Sequence, residues 1–182
     1  MGRLLLAALV GGLLVFAWGT ISWTVLPFHD ETIHTFPGEQ DEIDAFFSRV
    51  TESGLYHYPG MDGKRAEIEA RRAAGPVVSK MIVYPDGIET NMAAKLGIVL
   101  LIHTGGALIL AMMIKGMRQG GAPFLACVVV GGLFAVFAVA AASMPDLLFW
   151  DYPRERVTLS ILDVLIPWTL ASIVMSLMLK PR

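Results

Sequence analysis

The sequence predicts an all-α membrane bundle of four transmembrane helices, with a small α+β extracytoplasmic domain inserted between helices 1 and 2. Three observations predict it. Of 182 residues, 55% are hydrophobic and only 16% are charged, against about 25% charged in ordinary soluble domains. Four apolar stretches, at residues 4–28, 96–114, 123–144 and 157–179, match the roughly 20 residues that cross roughly 30 Å of hydrocarbon. One long hydrophilic segment, residues 29–94, separates the first two. The chain therefore divides into helix 1 (1–28), the outer domain (29–94) and helices 2 to 4 (95–182).

The mean hydropathy of +0.61 excludes a disordered chain. Fourteen Lys and Arg against 16 Asp and Glu leave a formal charge of -2, without the basic surplus of a nucleic-acid binder. A single cysteine excludes an internal disulfide.

The first stretch begins after Arg3 and has part of the pattern of a secretory signal, with small residues near Val15 and Ala17. Its apolar run continues through Ile21, Trp23, Val25 and Leu26, longer than a signal's core, so an uncleaved anchor is expected. The fourth stretch carries Asp163 and Pro167 and is the least apolar. Basic residues in short loops resist translocation. An even number of spans gathers Arg3, Lys115, Arg118, Lys180 and Arg182 on one side with no acid, while every acid except Asp163 falls on the other. Both termini are therefore expected in the cytoplasm of a multi-pass protein.

Within the outer segment, Ile43, Phe46, Phe47 and Val50 lie at i, i+3, i+4 and i+7, predicting an amphipathic helix over residues 41–52 that Gly54 terminates. Glu39, Asp41, Glu42 and Asp44 crowd its start, where the helix dipole favours acids. Residues 55–58 and 77–84 are β-rich and are followed by Pro59-Gly60 and Pro85-Asp86-Gly87, so they read as two strands. A charged helix over 64–72, with Glu67 and Arg71 at i and i+4, connects them. So short a domain buries too little of its own surface to stand alone, and is expected to lean on the spans or on a partner.

The run Trp18, Gly19, Ile21, Ser22, Trp23, Leu26, Pro27, Phe28, His29 and the later Tyr56, His57, Tyr58, Pro59, Gly60, with the four-span layout, resemble a recurring group of uncharacterised bacterial inner-membrane proteins. The resemblance implies a bacterial inner membrane and transfers no activity. Trp and Tyr at these places also suit a lipid-water interface.

Candidate chemistry is sparse. His29, Asp30, Glu31 and His34, with His57, are the one cluster from which a divalent metal site could be built, but His29 and His34 are five apart rather than the four of the helical zinc motif. The alternative is a polar collar where helix 1 leaves lipid. No other cofactor is indicated: Cys127 has no second thiol, and the ten Met residues show no clustering. Small residues four apart, Ala8 and Gly12, Gly131 and Ala135, Ala138 and Ala142, offer close helix packing, inside the bundle or between two copies; the intramolecular use is expected.

Ionisable residues at membrane depth are costly and mark sites by default. His103 and Asp163 lie at similar depths below the outer boundary, and are expected to meet, with Ser160 one turn above Asp163 on the same face. The leading function is a non-enzymatic accessory or interaction protein whose outer domain contacts a partner or another copy. The rivals are a small transporter, proton path or membrane redox protein using His103 and Asp163, and a membrane-surface metal protein using His29 and His34.

Overall fold

A computed structural model describes residues 1–180 and places them in six α-helices and a two-stranded sheet. The base Arg182 lies outside the described residues. Four helices are long and apolar enough to cross a membrane: α1 (Gly2–Thr24), α4 (Met92–Gln119), α5 (Phe124–Phe149) and α6 (Arg154–Met178). Between α1 and α4 come α2 (Gln40–Phe47), β1 (Gly54–Tyr58), α3 (Arg65–Ala74) and β2 (Val78–Val83).

Each long helix coincides with an apolar stretch but differs at its ends for local reasons. Helix α1 stops at Thr24, because Pro27 has no N–H to continue the ladder and a 3-10 turn over Asp30–Thr32 follows. Helix α4 starts a turn earlier than the apolar run, with the Asn91 side chain accepting from the Ala94 N–H at 3.0 Å. Helix α5 runs through Pro145 to Phe149, beyond the predicted end at 144.

The bundle is built around α1 and α6. Helix α1 packs along α4 and α6, and α6 along α5, whereas the consecutive α4 and α5 touch only slightly. Small side chains fill the contacts: Ala7, Ala107, Ala111, Ala135 and Ala171 are completely buried, beside Leu110, Ile114, Met175 and Cys127. Large apolar side chains point outward instead, with Phe137 and Leu101 each 72% exposed. This arrangement, small inside and bulky outside, suits helices that meet lipid on their outer faces. The pairs Ala8 and Gly12, and Gly131 and Ala135, are buried within the bundle, but Ala142 faces outward and takes no part in packing.

Strands β1 and β2 pair antiparallel, with Leu55 opposite Ile82 and Tyr56 opposite Met81. Glycine is needed after α3, where Gly75 takes φ +63°. No residue of α2, α3, β1 or β2 is buried. The outer segment has no core of its own, and two ion pairs link it to the end of α5 and the loop that follows. Arg72 donates to Asp151 at 2.8 Å, and Lys80 donates to Asp146 at 3.3 Å. The hydrogen bond to Asp146 holds the Lys80 ammonium above its ordinary value of 10.5, with smaller help from Tyr152. A raised lysine contributes its stability below 10.5 and loses it only as pH rises further, so this link persists at neutral pH.

Candidate functional site: a buried Asp–His–Arg cluster

Opposite charges lie on one face of α6, because Arg156 and Asp163 are seven residues, or two turns, apart. Facing them on α1 are Trp18 and Ser22, at i and i+4. After α1 ends, the turn at Pro27 and the 3-10 turn fold the chain back, and His29 enters between the two helices, 2% exposed. Thr32 closes the turn, donating from its hydroxyl to the His29 carbonyl at 2.9 Å.

Asp163 accepts from three donors. Trp18 Nε1 lies at 3.0 Å and Ser22 Oγ at 2.6 Å from Oδ1, and His29 Nε2 at 3.0 Å from Oδ2. Arg156 Nη1 is 2.9 Å from His29 Nδ1 and reaches the Thr32 hydroxyl at 3.4 Å. A guanidinium can only donate, so Nδ1 accepts and the imidazole proton sits on Nε2, directed at Asp163. The network thus places an uncharged imidazole between the Arg156 cation and the Asp163 carboxylate. Trp23 covers the cluster: its ring stacks on His29 at 4.0 Å, and the Arg156 guanidinium lies 4.7 Å from its centroid.

A serine, a histidine and an aspartate in contact invite comparison with a hydrolytic triad, and the geometry rejects it. A triad needs the serine on one imidazole nitrogen and the acid on the other. Here Ser22 lies 3.0 Å from Nε2, the nitrogen that also faces Asp163, and Ser22 donates its own proton to the carboxylate. No base is free to activate the hydroxyl. The arrangement instead ties the loop after α1 to both α1 and α6.

Several sequence expectations are corrected here. Asp163 does not bond to His103: His103 Nδ1 is buried with no hydrogen-bond partner among the described residues. Ser160 donates to the Arg156 carbonyl of its own helix at 3.0 Å and leaves Asp163 to other donors. His29 sits among polar side chains just past the end of α1, but His29, Asp30, Glu31, His34 and His57 do not converge, since no three His, Cys, Asp or Glu among the described residues group closely enough to hold a metal. His57 instead lines an apolar cavity of the outer segment. Sequence reasoning missed Trp18 and Ser22 as partners of Asp163 and Arg156 as the partner of His29. The available signal was the spacing: opposite charges two turns apart on α6 and a hydroxyl one turn from an indole on α1. Comparison with protein-family models, with curated proteins and with solved structures finds no match to this chain.

Proposed function

We propose that the protein is a non-enzymatic accessory protein of a bacterial inner membrane, in which the four long helices cross the bilayer and residues 29–94 stand on the extracytoplasmic side to dock a protein partner. The observation that carries this reading is the missing core of the outer segment. Its helices and strands bury no residue, while Phe46, Tyr58 and Ile82 are each more than half exposed. Apolar surface of that extent on so short a segment favours completion by another surface.

The chemistry of the partner follows from what surrounds that surface. Phe46, Val50, Tyr56, Val78 and Met81 line a cavity of about 410 Å³, within the range that accepts an apolar anchor. Segment 29–94 carries twelve acids against six bases, and Glu39, Asp41, Glu42 and Asp44 cluster around the start of the helix that supplies Phe46. A protein segment with an aromatic or aliphatic anchor and flanking Lys or Arg fits both features. The buried cluster acts as the latch that holds this segment against the bundle. Use of Asp163 in a transporter or proton path asks for a carboxylate open to exchange, and its engagement by three fixed donors favours the latch.

A photoreactive amino acid at Phe46 of the full-length protein in native membranes is expected to give one protein adduct. Reversing the exposed acids Asp41 and Asp44 to lysine should abolish it, while the melting temperature falls by no more than a few degrees for the lost helix-dipole contribution. Adducts to lipid alone, to a second copy of this chain, or to a protein indifferent to charge reversal would overturn the reading.

Both termini are assigned to the cytoplasm, which the clustering of Arg3, Lys115, Arg118 and Lys180 at one end of the bundle supports. Single cysteines at Gln119 and Asp62, in a Cys127→Ala background, are expected to react with an impermeant thiol reagent from opposite faces of intact membranes. Labelling of both from one face would sink this orientation.

A further inference from the structure

The end of the bundle where α1 begins and α4 and α6 finish holds a cavity of about 610 Å³. Arg3, Lys115, Arg118 and Lys180 line it with no acid among the described residues, and Leu4 and Leu179 supply apolar wall. Chain order brings these residues together, since each comes from a helix terminus that an up-and-down bundle sends to the same end.

Four like charges repel one another unless something compensates them. The C-termini of α4 and α6 each present roughly half a negative elementary charge, but α1 and α5 begin at the same end with positive half-charges of similar size. The dipoles therefore cancel and the cationic excess stands. Internal hydrogen bonds use few of the donors: Arg3 donates to the Met178 carbonyl at 2.7 Å and Arg118 to the Ala122 carbonyl at 3.0 Å. Arg118 Nε is buried with no hydrogen-bond partner among the described residues. The remaining guanidinium and ammonium donors, in a cavity with no acid among the described residues, ask for a multivalent oxyanion.

We propose that this cavity binds the phosphate group of an anionic membrane lipid, with Arg118 and Lys115 on the phosphate oxygens and the acyl chains leaving along the apolar faces of the helices. Phosphate supplies several acceptor oxygens for a forked donor such as Arg118. Leu4 and Leu179 at the wall favour a ligand that is apolar beyond its headgroup. The proposal rests on the reading that the long helices cross a bilayer, and its position at a lipid surface is the place where basic pockets between helices collect anionic headgroups.

Full-length protein reconstituted with phosphatidylcholine, phosphatidylglycerol or a mixture tests it by native mass spectrometry after gentle extraction. The wild type is expected to retain phosphatidylglycerol over phosphatidylcholine, and Lys115→Gln and Arg118→Gln to weaken that retention on the order of fivefold each. Arg118→Lys should recover part of it. Unchanged melting of Lys115→Gln in phosphatidylcholine shows that fold is not the cause. Equal retention by wild type and both Gln variants overturns the proposal. Displacement of the lipid by millimolar inorganic phosphate with the same variant dependence would assign the site to a soluble phosphate and overturn the lipid source. Flotation with phosphatidylcholine vesicles reads the membrane assignment separately, so its failure is distinguishable from failure of the headgroup site.

Discussion

Asp163→Ala is expected to destabilise the protein by about 3 kcal/mol in denaturant unfolding from mild detergent. Removal of the carboxylate leaves the Trp18, Ser22 and His29 donors without their acceptor and the Arg156 cation without its counter-charge. Stranding a buried donor that was bonded to a charged acceptor typically costs roughly 1–3 kcal/mol, and the 19% exposure of the Asp163 side chain, which lets water replace part of the loss, keeps the total for the three donors at about 3 kcal/mol. Asp163→Asn keeps the shape and one acceptor oxygen, so about 1 kcal/mol is expected. The combination of single and double variants is more diagnostic than either alone. His29→Ala and Asp163→Ala should be non-additive by roughly 0.5–3 kcal/mol, whereas His103→Ala and Asp163→Ala should add within about 0.5 kcal/mol. Coupling of Asp163 to His103 rather than to His29 would refute the cluster.

The second large effect is expected at Gly12. A Cβ placed there would lie 2.6 Å from the Thr104 Cα and 2.8 Å from its backbone nitrogen, so α1 and α4 approach backbone to backbone. Backbone cannot rotate out of the way, and Gly12→Ala must push the helices apart at a cost of about 3 kcal/mol, the upper end for overpacking. Its neighbour behaves differently. At Gly11 the nearest atom to an added Cβ is the Met175 sulfur at 2.8 Å, the far part of a flexible side chain. Gly11→Ala is therefore expected to cost about 1 kcal/mol. Gly19 meets nothing within 4 Å, and Gly19→Ala should be neutral or stabilising by roughly 0.5 kcal/mol, because alanine is the better helix former. A reversed order for Gly11 and Gly12, measured by the same unfolding, would contradict the α1–α4 contact.

The two glycines differ although both sit in one apolar run, and that difference shows where sequence reading stops. The spacing of Ala8 and Gly12 announced a close approach, and the structure buries both residues. The same spacing in Ala138 and Ala142 announced another, yet Ala142 faces outward. A small-residue pair says that a helix can be approached on that face. It does not say that a neighbour arrives.

Elements set by local physics were legible in advance. Bilayer thickness and backbone hydrogen bonding require long apolar runs, so four helices could be placed to within a few residues at most ends. Period-3.6 and strand-like patterns located α2, α3, β1 and β2, and the shortness of that segment predicted that it would lean on other surfaces. The cluster around Asp163 was not legible, because depth in the bundle is one coordinate and contact needs three. Counting residues from the predicted boundaries matches His103 and Asp163 in depth, but α6 turns Asp163 towards α1, and the chain after Pro27 returns His29 to the same point. Which helix faces which depends on the summed packing of small side chains, such as Gly12 against Thr104 and Gly131 against Ser172, spread over residues far apart in the chain. Sequence determined that a buried carboxylate needed a partner; only the tertiary structure, by choosing the neighbours of α6, decided that the partner is His29 with Arg156 behind it.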